Sequence, residues 1–120
     1  MTNEEPKEIE LDRFVQAAMQ IILHAGDARN YATDSMNALM DGDSDKADEL
    51  LKKAKEEITE AHKNQTDLLQ EEMRYEGTGK ESQVPLLFIH AQDTIMTIMT
   101  EVNLIEKMEK MYKKLDSENK

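Results

Sequence analysis

Apolar side chains in this chain return every three or four residues over three long stretches, a period that only amphipathic helices can bury along one side. From Ile9 the first stripe runs Leu11, Phe14, Val15, Ala18, Ile21, Ile22, Ala25, Ala28, Ala32, Met36 and Leu39. The second runs Ala47, Leu50, Leu51, Ala54, Ile58, Ala61, Gln65, Leu68, Leu69 and Met73, with Lys52, Lys53, Glu56 and Glu57 on the water side. The third opens at about Val84-Pro85 and follows Phe88, Ala91, Ile95, Ile98, Val102 and Ile105 on to Leu115. Only 2 Pro and 4 Gly interrupt 120 residues, and good helix formers fill the stripes, so a β-rich fold is excluded.

Short connections make neighbouring helices antiparallel, which predicts an all-α, up-down-up three-helix bundle. Its single domain spans residues 9–115, between a flexible polar lead-in at 1–8 and a solvated tail at 116–120. "DGDSD" ends the first helix: Gly42 suits a left-handed terminus, and Asp43 or Ser44 can cap the second. "YEGTGKESQ", 75–83, has two glycines and no apolar period and reads as a mobile loop.

A net charge of −11 repels nucleic-acid phosphates and anionic membrane surfaces. Cysteine is absent, which removes disulfides, thiolate nucleophiles and Cys-ligated zinc and agrees with a reducing compartment. No early segment has the form of a signal peptide and no uncharged run could span a bilayer, so the expectation is a soluble cytoplasmic protein without membrane insertion. The nine methionines are expected mainly as core filler, with a contact surface that repacks as the alternative.

The third stripe is not alone on its helix. At about 100° per residue, Leu86, Ile89 and Met96 point nearly opposite to the core face, with Asp93 among them. An apolar face turned away from its own bundle predicts contact with other chains, and a symmetric oligomer could place the third helix along its axis. Copies of Asp93 would converge there, and a hard divalent cation such as magnesium would offset their repulsion; the plainer alternative is a solvent-exposed Asp. His90 lies between the two faces, beside Asp93, Thr94, Thr97 and Glu101. Neutral imidazole is a competent nucleophile for phosphoryl transfer, although from spacing alone an ordinary boundary histidine is the default reading.

Several motifs are missing: Glu-x-x-His pairs, His-Glu-x-x-His, the phosphate-cradling Gly-x-x-x-x-Gly-Lys loop and Gly-x-Ser-x-Gly. Any chemistry is therefore histidine-centred. His24, His62 and His90 fall one to a helix, but their spacing specifies no three-histidine metal site. His62, with Gln65 and Thr66, reads as part of a polar helix-helix contact, and Ala25, Gly26 and Ala28 as small residues for close packing, edged by Asp27 and Arg29.

"HAGDARNYA", "EAHKNQTDLLQEE" and "VPLLFIHAQDTIMT" together resemble the lactose/cellobiose-type IIA components of the bacterial phosphoenolpyruvate-dependent sugar phosphotransferase system. The likeness extends over about residues 10–115. It implies a trimeric phosphocarrier that takes a phosphoryl group from phospho-HPr on His90 and passes it to the cysteine of a IIB component serving a membrane IIC permease. It also implies that Asp93 meets its symmetry mates around a metal ion, and that Gln92 and Thr94 neighbour the site. The family commonly reads His-Ala-Gln-Asp-His, whereas here the fifth position is Thr94, which removes a second histidine. The cargo would be a β-linked disaccharide, of cellobiose/chitobiose type in preference to lactose. A function from another class is a non-catalytic helical oligomerisation module in which His90 and Asp93 only fix register.

Overall fold

The computed structural model describes residues 5–76 and 86–119, with side chains described for residues 13–70 and 86–119. Three helices follow one another, α1 (Glu5–Met40), α2 (Ser44–Glu76) and α3 (Leu86–Glu118). Among the described residues there is no strand. The predicted loop at 75–83 and the Val84-Pro85 start fall largely outside the described residues, although Tyr75 and Glu76 belong to α2. Both outer boundaries move outward from the sequence expectation. α1 already includes Glu5 to Glu8, since proline at Pro6 is tolerated in a first turn, where its missing N–H would have had no helical partner. α3 runs on through Asp116 to Glu118 because "KKLDSE" holds no residue that breaks a helix.

The α1–α2 turn is made by one glycine and one aspartate. Gly42 takes φ +88°, the left-handed geometry that costs a side-chain-bearing residue energy. Its N–H then reaches the Leu39 carbonyl at 3.0 Å, and the Asp43 N–H reaches Ala38 at 2.9 Å, so two carbonyls orphaned by the helix end are satisfied. Asp43, not Ser44, caps α2: its Oδ1 accepts from the Lys46 N–H at 3.1 Å. With both ends satisfied in a few residues, α2 is sent straight back along α1.

α1 is the central element. It packs along α2 and against α3, whereas α2 and α3 meet only sparsely. The buried positions fall into sevens: one α1 row holds Phe14, Ile21, Ala28 and Ser35, apolar until its last member, and a second holds Ala18, Ala25, Ala32 and Leu39. α2 answers with Ala47, Ala54, Ala61 and Leu68. Alanines facing alanines let the backbones approach at the short end of the usual helix spacing, about 8 Å. α3 supplies the bulk, with Phe88, Ile95 and Val102 in register with Phe14, Ile21 and Ala28. Phe14 and Phe88 meet edge to face, 6.1 Å between centroids.

Most stripe positions are buried as their spacing requires, with local departures. Leu69 and Leu115 are exposed, while Val15, Ile22, Met36, Leu50, Leu51, Ile58 and Ile105 are half-buried and Ala38 and Ser35 take the buried places at the end of α1. A repeat of seven, rather than loose threes and fours, accounts for the end of α1: Ser35 and Leu39 continue the two buried rows, and Met36 lies on their edge. The methionines are not the core filler expected of them: among the described side chains Met19, Met40, Met96, Met108 and Met111 are exposed and Met36 and Met99 half-buried, because alanine and isoleucine take the buried rows.

Replacing Ala54 with leucine keeps helix propensity high but forces a larger side chain into the alanine seam. Urea denaturation at fixed protein concentration should show a loss of about 1–3 kcal/mol; unchanged stability would mean that α1 and α2 are not closely apposed. Ile95→Ala, which empties a fully buried site, should cost about 2–5 kcal/mol in the same assay.

Candidate functional site

Because α2 hardly touches it, α3 is buried on one face and bare on the other. Phe88, Ala91, Ile95, Ile98 and Val102 are buried, while Leu86, Ile89 and Met96 are 80%, 49% and 56% exposed. Asp93 stands among these three and is itself exposed. The bare row continues through Leu104, Met108, Met111 and Leu115, so it runs the length of α3 and not only its first half. One side of the helix is thus largely apolar, interrupted by Asp93, Thr97 and Thr100, and exposes more apolar surface than the scattered positions of an ordinary surface.

His90 is exposed on the flank of α3 that turns toward α1. Helix geometry places Thr94 about 40° and Asp93 about 60° from it, whereas Gln92 lies about 200° around, on the flank facing α2. There the buried Gln65 donates its Nε2 hydrogen to Gln92 Oε1. The structure therefore brings His90, Asp93 and Thr94 to one side and leaves Gln92 tied to α2. Thr94 Oγ1 donates to the His90 carbonyl at 2.8 Å. Its one proton is thereby committed, so in this arrangement Thr94 offers His90's neighbourhood lone pairs and not a donor.

Farther along this seam a cation of α1 is also engaged. Arg29 donates from Nε and Nη2 to both oxygens of Glu101, at 2.7 and 2.9 Å, and these bonds hold the guanidinium pKa above its already high value. Glu101 is eleven residues beyond His90, about 16 Å along the helix. A shallow groove of about 360 Å³ opens beside the pair, lined by Arg29, Ala32, Thr33, Glu101, Leu104 and Ile105.

The other two histidines separate. His24 Nδ1 lies 2.5 Å from Glu57 Oε2 and joins α1 to α2. His62 is exposed, contrary to its expected place in a helix-helix contact; Gln65, three residues on, occupies that contact instead. Among the described residues no three His, Cys, Asp or Glu side chains of one chain gather to hold a metal. A metal at Asp93 would thus need carboxylates from several chains, and the exposed position of Asp93 on the bare face fits that geometry.

Two polar core residues escaped the periodic stripe. Ser35 and Glu109 are buried, 0% and 2% exposed, in the layer after Ala28 and Val102. Burial pushes the Glu109 carboxyl above its usual range, against the opposing pull of Ser35 and Lys113. Glu106, one turn earlier, is held below its usual range by its hydrogen bond from Lys55. A seven-residue frame would have found Glu109, which follows Val102 by one repeat.

Residues 16–113 match the family model described as the lactose/cellobiose-specific IIA subunit of the PTS system. The lactose-specific EIIA component of Lacticaseibacillus casei is 41% identical over 83% of this chain and 87% of that relative. The lichenan-specific phosphotransferase enzyme IIA component of Bacillus subtilis is 36% identical, with the same coverage. Among solved structures, the cellobiose-specific enzyme IIA of Bacillus anthracis superposes with a TM-score of 0.73 at 38% identity, covering 85% of this chain and 90% of that one. The chitobiose IIA component of Escherichia coli, solved as its complex with HPr, gives 0.73 at 28% identity, covering 86% and 96%.

Since His90 is exposed and no core contact depends on it, His90→Ala should change folding stability by less than about 0.5 kcal/mol in chemical denaturation. A larger loss would show that the imidazole is a structural group.

Proposed function

Because the chain belongs to the lactose/cellobiose-specific IIA family of the phosphotransferase system, we propose that it is a phosphocarrier in which His90 accepts the phosphoryl group of phospho-HPr and yields it to a IIB cysteine. The observation that carries this is the position of His90: an exposed imidazole on a well-packed helix, inside the family's His-Ala-Gln-Asp block. The cargo is a β-linked disaccharide of cellobiose/chitobiose type or lactose, taken up through a membrane IIC permease. Among the described residues no helix is long and apolar enough to cross a membrane, which supports a cytoplasmic carrier working beside that permease.

In the first step a neutral ring nitrogen of His90 attacks phosphorus in line, and the N–P bond forms as the bond to HPr breaks. In the second, the IIB thiolate attacks and the S–P bond forms as the N–P bond breaks. The protein's contribution is position and charge management. Two groups next to His90 supply little of the latter: the Thr94 proton goes to the backbone and Gln92 faces α2. The docked partner or a neighbouring chain supplies donors to the phosphoryl oxygens.

The bare face of α3 supports a homotrimer with Leu86, Ile89 and Met96 turned to the axis. Copies of Asp93 would hold a divalent cation there, whose part would be to neutralise the converging carboxylates; magnesium suits such all-oxygen ligands.

Incubation with labelled phosphoenolpyruvate, enzyme I and HPr should place acid-labile label on the wild type and none on His90→Ala. Full labelling of that variant would refute the assignment, and intact sugar uptake with His90→Gln would favour a purely structural module. For the axis, chelation should lower the melting temperature of the wild type but leave Asp93→Asn unaffected, with sedimentation reporting the oligomer mass. Equal responses of the two proteins would remove the metal.

A further inference from the structure

Where α1, α2 and α3 come together near the α1–α2 turn, the core contains a hydrogen-bond chain with one proton too few. Ser35 Oγ lies 2.6 Å from the Ala47 carbonyl oxygen and 2.8 Å from Glu109 Oε2. A hydroxyl has a single hydrogen, and a carbonyl and a carboxylate are both acceptors. With Glu109 ionised, only one of these two contacts can be a hydrogen bond. The other would press two oxygens together out of water, while Glu109 Oε1, also buried, has no partner at all.

A proton on Oε2 resolves the arrangement. We propose that Glu109 is folded in as the neutral acid, donating from Oε2 to Ser35 Oγ, which donates in turn to the Ala47 carbonyl and so clamps α3 to α1 and α2. Oε1 is then a carbonyl oxygen without a bond, a smaller cost than an unsolvated carboxylate. The surroundings agree. Ser35 is the group that α1 presents; α2 presents the Ala47 carbonyl and Asp48; α3 itself brings Glu106 and Lys113. Lys113 is the one cation among them, and it already pairs with Asp48, while Glu106 pairs with Lys55. Glu109 is thus left without a full counterion, and its carboxyl is raised above the usual value chiefly by burial.

The sign of the pH effect follows. A carboxyl whose folded pKa exceeds its unfolded one binds an extra proton in the native state between the two values. Its stabilisation is full below the ordinary glutamate range and is lost as pH rises through the raised folded value. The clamp therefore loosens toward alkaline pH, opposite in direction to an ordinary paired carboxylate. Glu109 is nineteen residues from His90, about 28 Å along α3, so the proton is independent of phosphoryl transfer.

Carbon-13 NMR titration of the full-length wild-type protein tests this without any substitution. The Glu109 side-chain carboxyl should keep the shift of a protonated acid at pH values where the exposed glutamates have already ionised. Titration of Glu109 together with those exposed residues would overturn the proposal. Glu109→Gln, which carries a permanent donor, supplies the second measurement: its melting temperature should stay level over the window in which that of the wild type declines. Parallel decline of the two proteins would equally overturn it.

Discussion

The interaction on which the rest of the structure depends is the alanine seam between α1 and α2. Ala18, Ala25 and Ala32 on one side and Ala47, Ala54 and Ala61 on the other leave no side-chain bulk between the backbones, so these two helices form the close pair. α3 then packs mainly on α1, through Phe88, Ile95 and Val102. A third helix held chiefly from one direction keeps its opposite face bare. Leu86, Ile89 and Met96 are exposed for that reason, and Asp93 stands among them as a carboxylate within that row.

The same packing sets the character of the His90 flank. Arg29 and Glu101 satisfy one another across the α1–α3 seam, and Gln65 and Gln92 do so across the α2–α3 seam. These pairs fix how α3 is rotated, one on each side of its buried face, and both leave the exposed imidazole of His90 unengaged by their donors.

Farther along α3 the core changes character. The layer of Ser35 and Glu109 replaces the apolar pairs seen at Phe14 with Phe88 and Ile21 with Ile95. Buried polar chains are favourable only when every proton has a place, which makes this end of the bundle sensitive to one titrating group. Two surface pairs, Lys113 with Asp48 and Lys55 with Glu106, tie α2 to α3 in the same half. Exposed pairs of this kind contribute little individually.

Much of this was legible in one dimension. The spacing of Phe88, Ala91, Ile95, Ile98 and Val102 identified the buried face of α3, and the same arithmetic placed Leu86, Ile89, Asp93 and Met96 opposite, because helical periodicity is a local property of the chain. Gly42 and Asp43 marked the turn for the equally local reason of backbone and capping chemistry. His90 could be placed on a flank, while its chemistry came from likeness to a family and not from spacing. Tertiary structure alone decided which partner each polar group found: Gln92 with Gln65, Arg29 with Glu101, His24 with Glu57, and Glu109 with Ser35 across 74 positions of sequence. Periodicity states which side of a helix a residue occupies. Only the approach and rotation of neighbouring helices state what it meets there, and that approach was set by alanines whose small size carries no signal until they are seen facing each other.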